Sequence, residues 1–208
     1  MKTLASALTI ALAAGSAGAG TIFTEDFNSG TLGSFTYQDY KTGQPSSFEW
    51  RTNESESLGN FTGGTGAAAM SSSDSVAGPY DHAIVSPQID LPLGQISMSF
   101  LSNYQNYSNI DFADVDISNN NGASWYNVLR WNEDHGAFYA APGVAAELDI
   151  SQFAGQSINI RFHHYDLEED ANDWYWQVDN LAVNASVPGP GAMALLGAAG
   201  LVAARRRR

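Results

Sequence analysis

Two short acidic stretches stand near opposite ends of the chain. Glu25, Asp26 and Asn28 lie within "TEDFN", and Asp179 with Asn180 in "VDN". Carboxylates and amides set this close are hard oxygen donors, the kind of which calcium collects roughly six to eight. Asp81, just ahead of "HAIVSP", offers one more. The pattern around Asp179 adds a physical hint. Val178 and Leu181 are both apolar, although strict alternation sends residues three apart to opposite faces of a sheet. A bulge at Asp179-Asn180 would bring both inward and re-aim the side chains between them. The expected role of calcium is structural, in a chain that has no cysteine and hence no disulfide. The alternative is that these acids only cap strand ends in water.

Other groups carry weaker chemistry. "DLEEDANDW" holds Asp166, Glu168, Glu169, Asp170 and Asp173, which reads as an exposed loop because so many charges do not pack into a core. His163 and His164 are adjacent, so on a strand they point to opposite faces and do not chelate one ion. Tyr104 and Tyr107 fall in the loop-like "NYQNYSN", and Trp174 follows the acidic run. These three rings are the candidates for stacking on sugar, with core packing as the alternative, and Trp176 is assigned to the core. Arg130 and Arg161 either anchor a carboxylated sugar or pair with nearby acids. No G-x-S-x-G elbow or recognisable triad setting is present. A glycosidase needs a defined carboxylate pair, and among 22 acids none is singled out. The expectation is a non-catalytic module.

Charge narrows the partners. The net charge is −13, and all 22 acids lie between Glu25 and Asp179, where only Lys41, Arg51, Arg130 and Arg161 are basic. Such a surface repels nucleic acid and attracts divalent cations.

The elements that must position these residues are strands. "ISMSFLS" sets Ile96, Met98 and Phe100 on one face; "ADVDISN" does so with Val115 and Ile117 against Asp114 and Asp116; "SINIRFHHY" repeats it with Ile158, Ile160 and Phe162. This period of two is the mark of half-buried strands. "SNNNGASW" reads as a hairpin turn and "NFTGGTGAAAM" as a loop. Many short strands without an amphipathic helix predict an all-β, antiparallel jelly-roll β-sandwich over residues 20–186. It is flanked by processing segments. Residues 1–19 read as a signal peptide, with Lys2, an apolar run from Leu4 to Ala14, and Ala17-Gly18-Ala19 as the cleavage site. Residues 187–208, "VPGPGAMALLGAAGLVAARRRR" after the first valine, form a Pro-Gly hinge, an apolar run and four arginines. As a helix, Gly191 to Ala204 would reach about 21 Å against a hydrocarbon core of about 30 Å, a short transmembrane sorting helix at most.

That tail resembles the PEP-CTERM sorting signal of Gram-negative bacteria, with Pro188, Gly189 and Pro190 at the motif and Gly189 in place of the usual glutamate. The resemblance implies an exosortase-type sorting protease as partner and a transient inner-membrane anchor before processing; the alternative is an ordinary C-terminal anchor. The middle of the chain carries its own likeness. "FTEDFNSG", "DHAIVSPQIDL", "DISNNNGASWYNVL", "LDISQFAGQSINIRFHHYD" and "WYWQVDNLAV" occur in that order. Together they resemble the MAM-like jelly roll known in bacteria as the choice-of-anchor J or cleaved-adhesin domain. This implies that the first and last strands pair and that acids there share calcium. It also implies a module of the cell surface or extracellular matrix that binds extracellular polysaccharide or a surface protein. The alternatives are a purely structural matrix component and, more distantly, a secreted glycan hydrolase.

Overall fold

A computed structural model of the chain describes residues 18–41, 49–72, 80–107, 110–166 and 174–187. The signal segment up to residue 17, the acidic residues 167–173 and the tail with Pro188, Gly189 and Pro190 lie outside the described residues. The strands are β1 (Gly18–Glu25), β2 (Thr36–Asp39), β3 (Arg51–Thr52), β4 (Ala69–Ser72), β5 (Asp81–Val85), β6 (Ile89–Asp90), β7 (Gln95–Gln105), β8 (Asp111–Ser118), β9 (Tyr126–Trp131), β10 (Val144–Asp149), β11 (Ser157–Asp166) and β12 (Tyr175–Val187). Among the described residues the helical pieces are two short 3₁₀ turns, Asn53–Glu56 and Ser151–Phe153, and no helix is long and apolar enough to cross a membrane.

The strands form two antiparallel sheets. Sheet A runs β10-β7-β12-β4-β3, with β1 paired to the far end of β12; sheet B runs β2-β5-β11-β8-β9, with β6 on β11. First and last strands therefore lie side by side, Glu25 opposite Leu181.

Alternation fixes which side chains meet between the sheets. Ala113, Val115 and Ile117 of β8, and Ile158, Ile160 and Phe162 of β11, are fully buried; Ile96, Met98 and Phe100 answer them from β7. Trp176 lies at the centre of this core, edge-on to Trp50 at 5.3 Å and to Phe162 at 5.7 Å. Its indole N–H donates to Ser102 Oγ at 2.8 Å, so the one polar atom of the ring is satisfied. His164 turns inward and His163 outward, as alternation requires. Inside, Ser71 Oγ lies 2.7 Å from both His82 Nε2 and His164 Nδ1. Burial, reinforced by His163, pushes His82 down to about 3. His164 falls well below the ordinary histidine range for the same first reason, with His82 adding to it. Both rings are neutral at ordinary pH.

Two expectations change here. Tyr104 is not in a loop: β7 continues through Gln105, and Tyr104 is fully buried. Asp166 is likewise buried, at the end of β11 opposite Asp111, rather than exposed at the head of an acidic loop.

Candidate functional site: an acidic pocket and an aromatic rim

The pocket begins with a break in β12. Its register against β7 shifts between Asp179 and Ala182, and Asn180 adopts φ 51°. The bulge leaves Val178 and Leu181 both buried and turns Asp179 into the end of the sandwich. There its Oδ2 accepts from Asn60 Nδ2 at 2.7 Å and its Oδ1 from the Asn180 amide at 2.6 Å. The segment 59–66 wraps over it so closely that a Cβ at Gly64 would fall 2.0 Å from Asp179 Oδ2. A Cβ at Gly66, whose φ is +79°, would fall 1.8 Å from Asn28 Oδ1. Only glycine permits both approaches. Asn28 Oδ1 in turn accepts from the Ala67 amide at 3.1 Å, tying the end of β1 to the same loop.

Asp179 is fully buried, yet the five ion pairs among the described residues do not include it. Burial pushes its carboxyl above the ordinary aspartate range. The Asn60 and Asn180 hydrogen bonds pull it back, and the nearby Asp26 charge pushes it up again. A buried carboxylate served only by neutral donors, beside a second carboxylate, suits a hard cation better than it suits water-free isolation. Asp26, Asn28, Asn60, Asp179 and Asn180 are the oxygen-bearing side chains that could hold one.

The remaining predicted ligands fare differently. Glu25 lines the same surface depression as Asp26 and Asn180, but its carboxylate ties down the following turn. Oε2 accepts from the Ser34 amide and hydroxyl, both at 2.9 Å, and Oε1 from the Phe27 amide at 3.2 Å. Asp81 is not in the pocket. It stands on sheet B with Oδ1 2.6 Å from His163 Nε2. Sequence reasoning missed Asn60, Gly64 and Gly66, which lie more than a hundred positions from Asp179.

The aromatic rim lies on the loops around the ends of β7, β9 and β12. Trp174 meets Tyr107 edge-on at 5.9 Å and Phe138 at 4.8 Å. Tyr107 is 45% and Phe138 51% exposed. Around Tyr107 and Phe138 the described residues are tied by hydrogen bonds: the Tyr107 amide donates to Asp111 Oδ1 at 3.0 Å, the Asn106 amide to Asp134 Oδ1 at 2.8 Å, and the Tyr139 amide to Tyr175 Oη at 2.9 Å. Thus Tyr107 and Trp174 come together as a surface while Tyr104 sits beneath it in the core. Phe138, in an Ala- and Gly-flanked stretch, gave no sequence signal.

Arg130 and Arg161 pair with acids on the outer face of sheet B. Arg161 Nε and Nη2 both reach Asp116 Oδ2, at 3.0 and 2.8 Å. Arg130 forms two bonds to Asp114, at 2.8 and 2.6 Å.

Two antiparallel sheets closed in this order define a jelly-roll-type β-sandwich. The K3 cleaved adhesin domain of Lys-gingipain from Porphyromonas gingivalis W83 superposes with a TM-score of 0.58 at 17% identity, covering 80% of this chain and 99% of that one. The K1 cleaved adhesin domain of the same protein gives 0.55 at 19% identity, covering 81% and 100%. A carbohydrate-binding module, TmCBM61 in complex with β-1,4-galactotriose, gives 0.51 at 11% identity, covering 77% and 94%. At these identities the likeness establishes the fold. No family model and no curated protein matches the sequence.

Proposed function

We propose that the protein is an exported, non-catalytic binding module of the cell surface or extracellular matrix. Calcium at the Asp179 pocket stabilises it, and the Tyr107–Phe138–Trp174 rim contacts carbohydrate. The observation that carries the binding reading is the exposed rim itself. Tyr107 and Phe138 are about half exposed and Trp174 packs edge-on against both; such a surface cluster is costly to leave in water unless something covers it, and rings beside Asn106 and Asp134 suit a sugar, which offers C–H faces and hydroxyls together. Solved adhesin and carbohydrate-binding domains with this fold support the same class. Calcium supplies the positive charge that Asp26 and Asp179 lack. In this reading the N-terminal segment directs export, and the tail engages a sorting protease while its short apolar run holds the membrane.

The test is affinity of the full chain for extracellular polysaccharide of the producing organism. Saturable binding that weakens about tenfold in Trp174→Ala, roughly 1.4 kcal/mol, with an unchanged melting temperature, is the expected result. Binding that is absent, with the protein instead associating with itself, would favour a structural matrix component.

A further inference from the structure

The outer face of sheet B carries a separate cavity of about 250 Å³, beside the hairpin that joins β8 to β9. Thr36, Gln38, Ser86, Asn121, Trp125 and Asn159 line it. Trp125 is its wall, and that ring is fixed in place because the Arg161 guanidinium lies against it, Cζ 4.4 Å from the ring centroid. The Asp116 carboxylate clamps Arg161 in turn, and its Nη1 donates to Tyr40 Oη at 3.3 Å. At the floor, Asn159 is only 7% exposed. Its Nδ2 donates to the Ser86 carbonyl at 3.0 Å, which sets the amide's orientation, while its Oδ1, closed off from solvent, has no hydrogen-bond partner among the described residues.

These features specify a ligand class. The lining side chains are uncharged, and the adjacent Arg161 is already neutralised by Asp116, so the described residues do not select an acid or a phosphate. An indole wall with amide and hydroxyl groups around it suits a ring that has apolar faces and hydroxyl donors at its edge. The volume lies just under the roughly 300 Å³ at which enclosed small-molecule pockets begin, which fits one ring of a chain and not several. We propose that this cavity is a second saccharide site, taking one uncharged pyranose unit of a neutral polysaccharide against Trp125 and independent of the rim at Trp174. A module with two such sites on different faces would cross-bridge polysaccharide chains, with avidity beyond either site alone.

The proposal does not require the rim to bind sugar, and the experiment separates the two. Isotope-labelled full-length protein is titrated with neutral oligosaccharides (β-1,4-linked glucose, xylose and galactose oligomers) and with an oligogalacturonate as the acidic counterpart. The indole N–H resonances of Trp125 and Trp174 are followed. The expected result is a saturable shift of Trp125 with at least one neutral oligomer and none with the galacturonate. Trp125→Ala should weaken that interaction about tenfold; Trp125→Phe should retain most of it, and Trp174→Ala should leave it unchanged. A shift at Trp174 alone, surviving in Trp125→Ala, overturns the second site and leaves the rim reading intact. No Trp125 shift with any neutral oligomer at millimolar concentration also overturns it, as does a stronger response to the galacturonate.

Discussion

Asp116 and Asp179 are both buried carboxylates, one on each sheet, and their surroundings meet the charge differently. Asp116, 3% exposed, sits under the Arg161 guanidinium, with Nε and Nη2 both on one oxygen. Asp179, fully buried, receives an asparagine amide, a backbone N–H and, at 3.5 Å, the Thr62 hydroxyl, all of them neutral donors. A span with 22 acids and four basic residues has few cations of its own to place. It spends both Arg130 and Arg161 on sheet B, where β8 sends Asp114 and Asp116 outward together. At the end of sheet A, Asp179 has no ion-pair partner among the described residues. The same contrast separates two kinds of buried acid: the sheet B pair is matched within the fold, whereas Asp179 has only neutral donors, which is why calcium is proposed there.

Removing the internal cation should break the first arrangement most severely. Arg161→Met leaves Asp116 buried without its partner and should cost roughly 3 kcal/mol or more, read as a fall in urea midpoint at constant slope. Arg130→Met should cost less, roughly 1–2 kcal/mol, because the Arg130 side chain is 52% exposed against 13% for Arg161 and the buried Asp114 keeps the Tyr165 hydroxyl as a donor. Equal losses would contradict the ranking by burial.

Acid acts on the core between the two sheets. His82 and His164 are neutral when folded and have their values pushed down, His82 to about 3, while the unfolded chain takes up protons near 6.5. The stability they contribute is therefore whole above about pH 6.5 and declines as pH falls toward 3, at about 1.4 kcal/mol per pH unit for each ring. Unfolding free energies measured at pH 7, 6 and 5 in the presence of calcium should show this slope. A flat profile down to pH 5 would mean that the histidines are solvated.

Much of the scaffold was legible because alternation is a local signal. The faces of β7, β8 and β11 could be read from Ile96–Phe100, Val115–Ile117 and Ile158–Phe162. The bulge at Asp179 showed itself as two apolar residues out of phase. What stayed hidden depends on contacts distant in sequence. Tyr104 looked like loop because Asn103 and Gln105 flank it. Those polar side chains are buried only because Asn103 Nδ2 finds the carbonyls of Phe61, Ala137 and Ala140, and Gln105 that of Gly136. Asn60 and Gly64 gave no sign of their partner in β12, and Asp81 looked like a ligand until its strand was placed on the opposite sheet, beside His163. Phe138 belongs to the rim only through the fold of residues 133–143.

The most direct test of the account is the melting temperature of the full chain in calcium, in magnesium and in chelator, for the parent and for Asp179→Asn. Calcium at a hundredfold excess over its dissociation constant should stabilise the parent by about 2.7 kcal/mol. Magnesium, which dehydrates reluctantly, should do much less. Asp179→Asn should lose the calcium response while melting in chelator no lower than the parent, since it removes a buried charge. A parent that melts identically in calcium and chelator, or an Asp179→Asn variant that keeps the full calcium response, would contradict the claim that this pocket takes its counter-charge from solution.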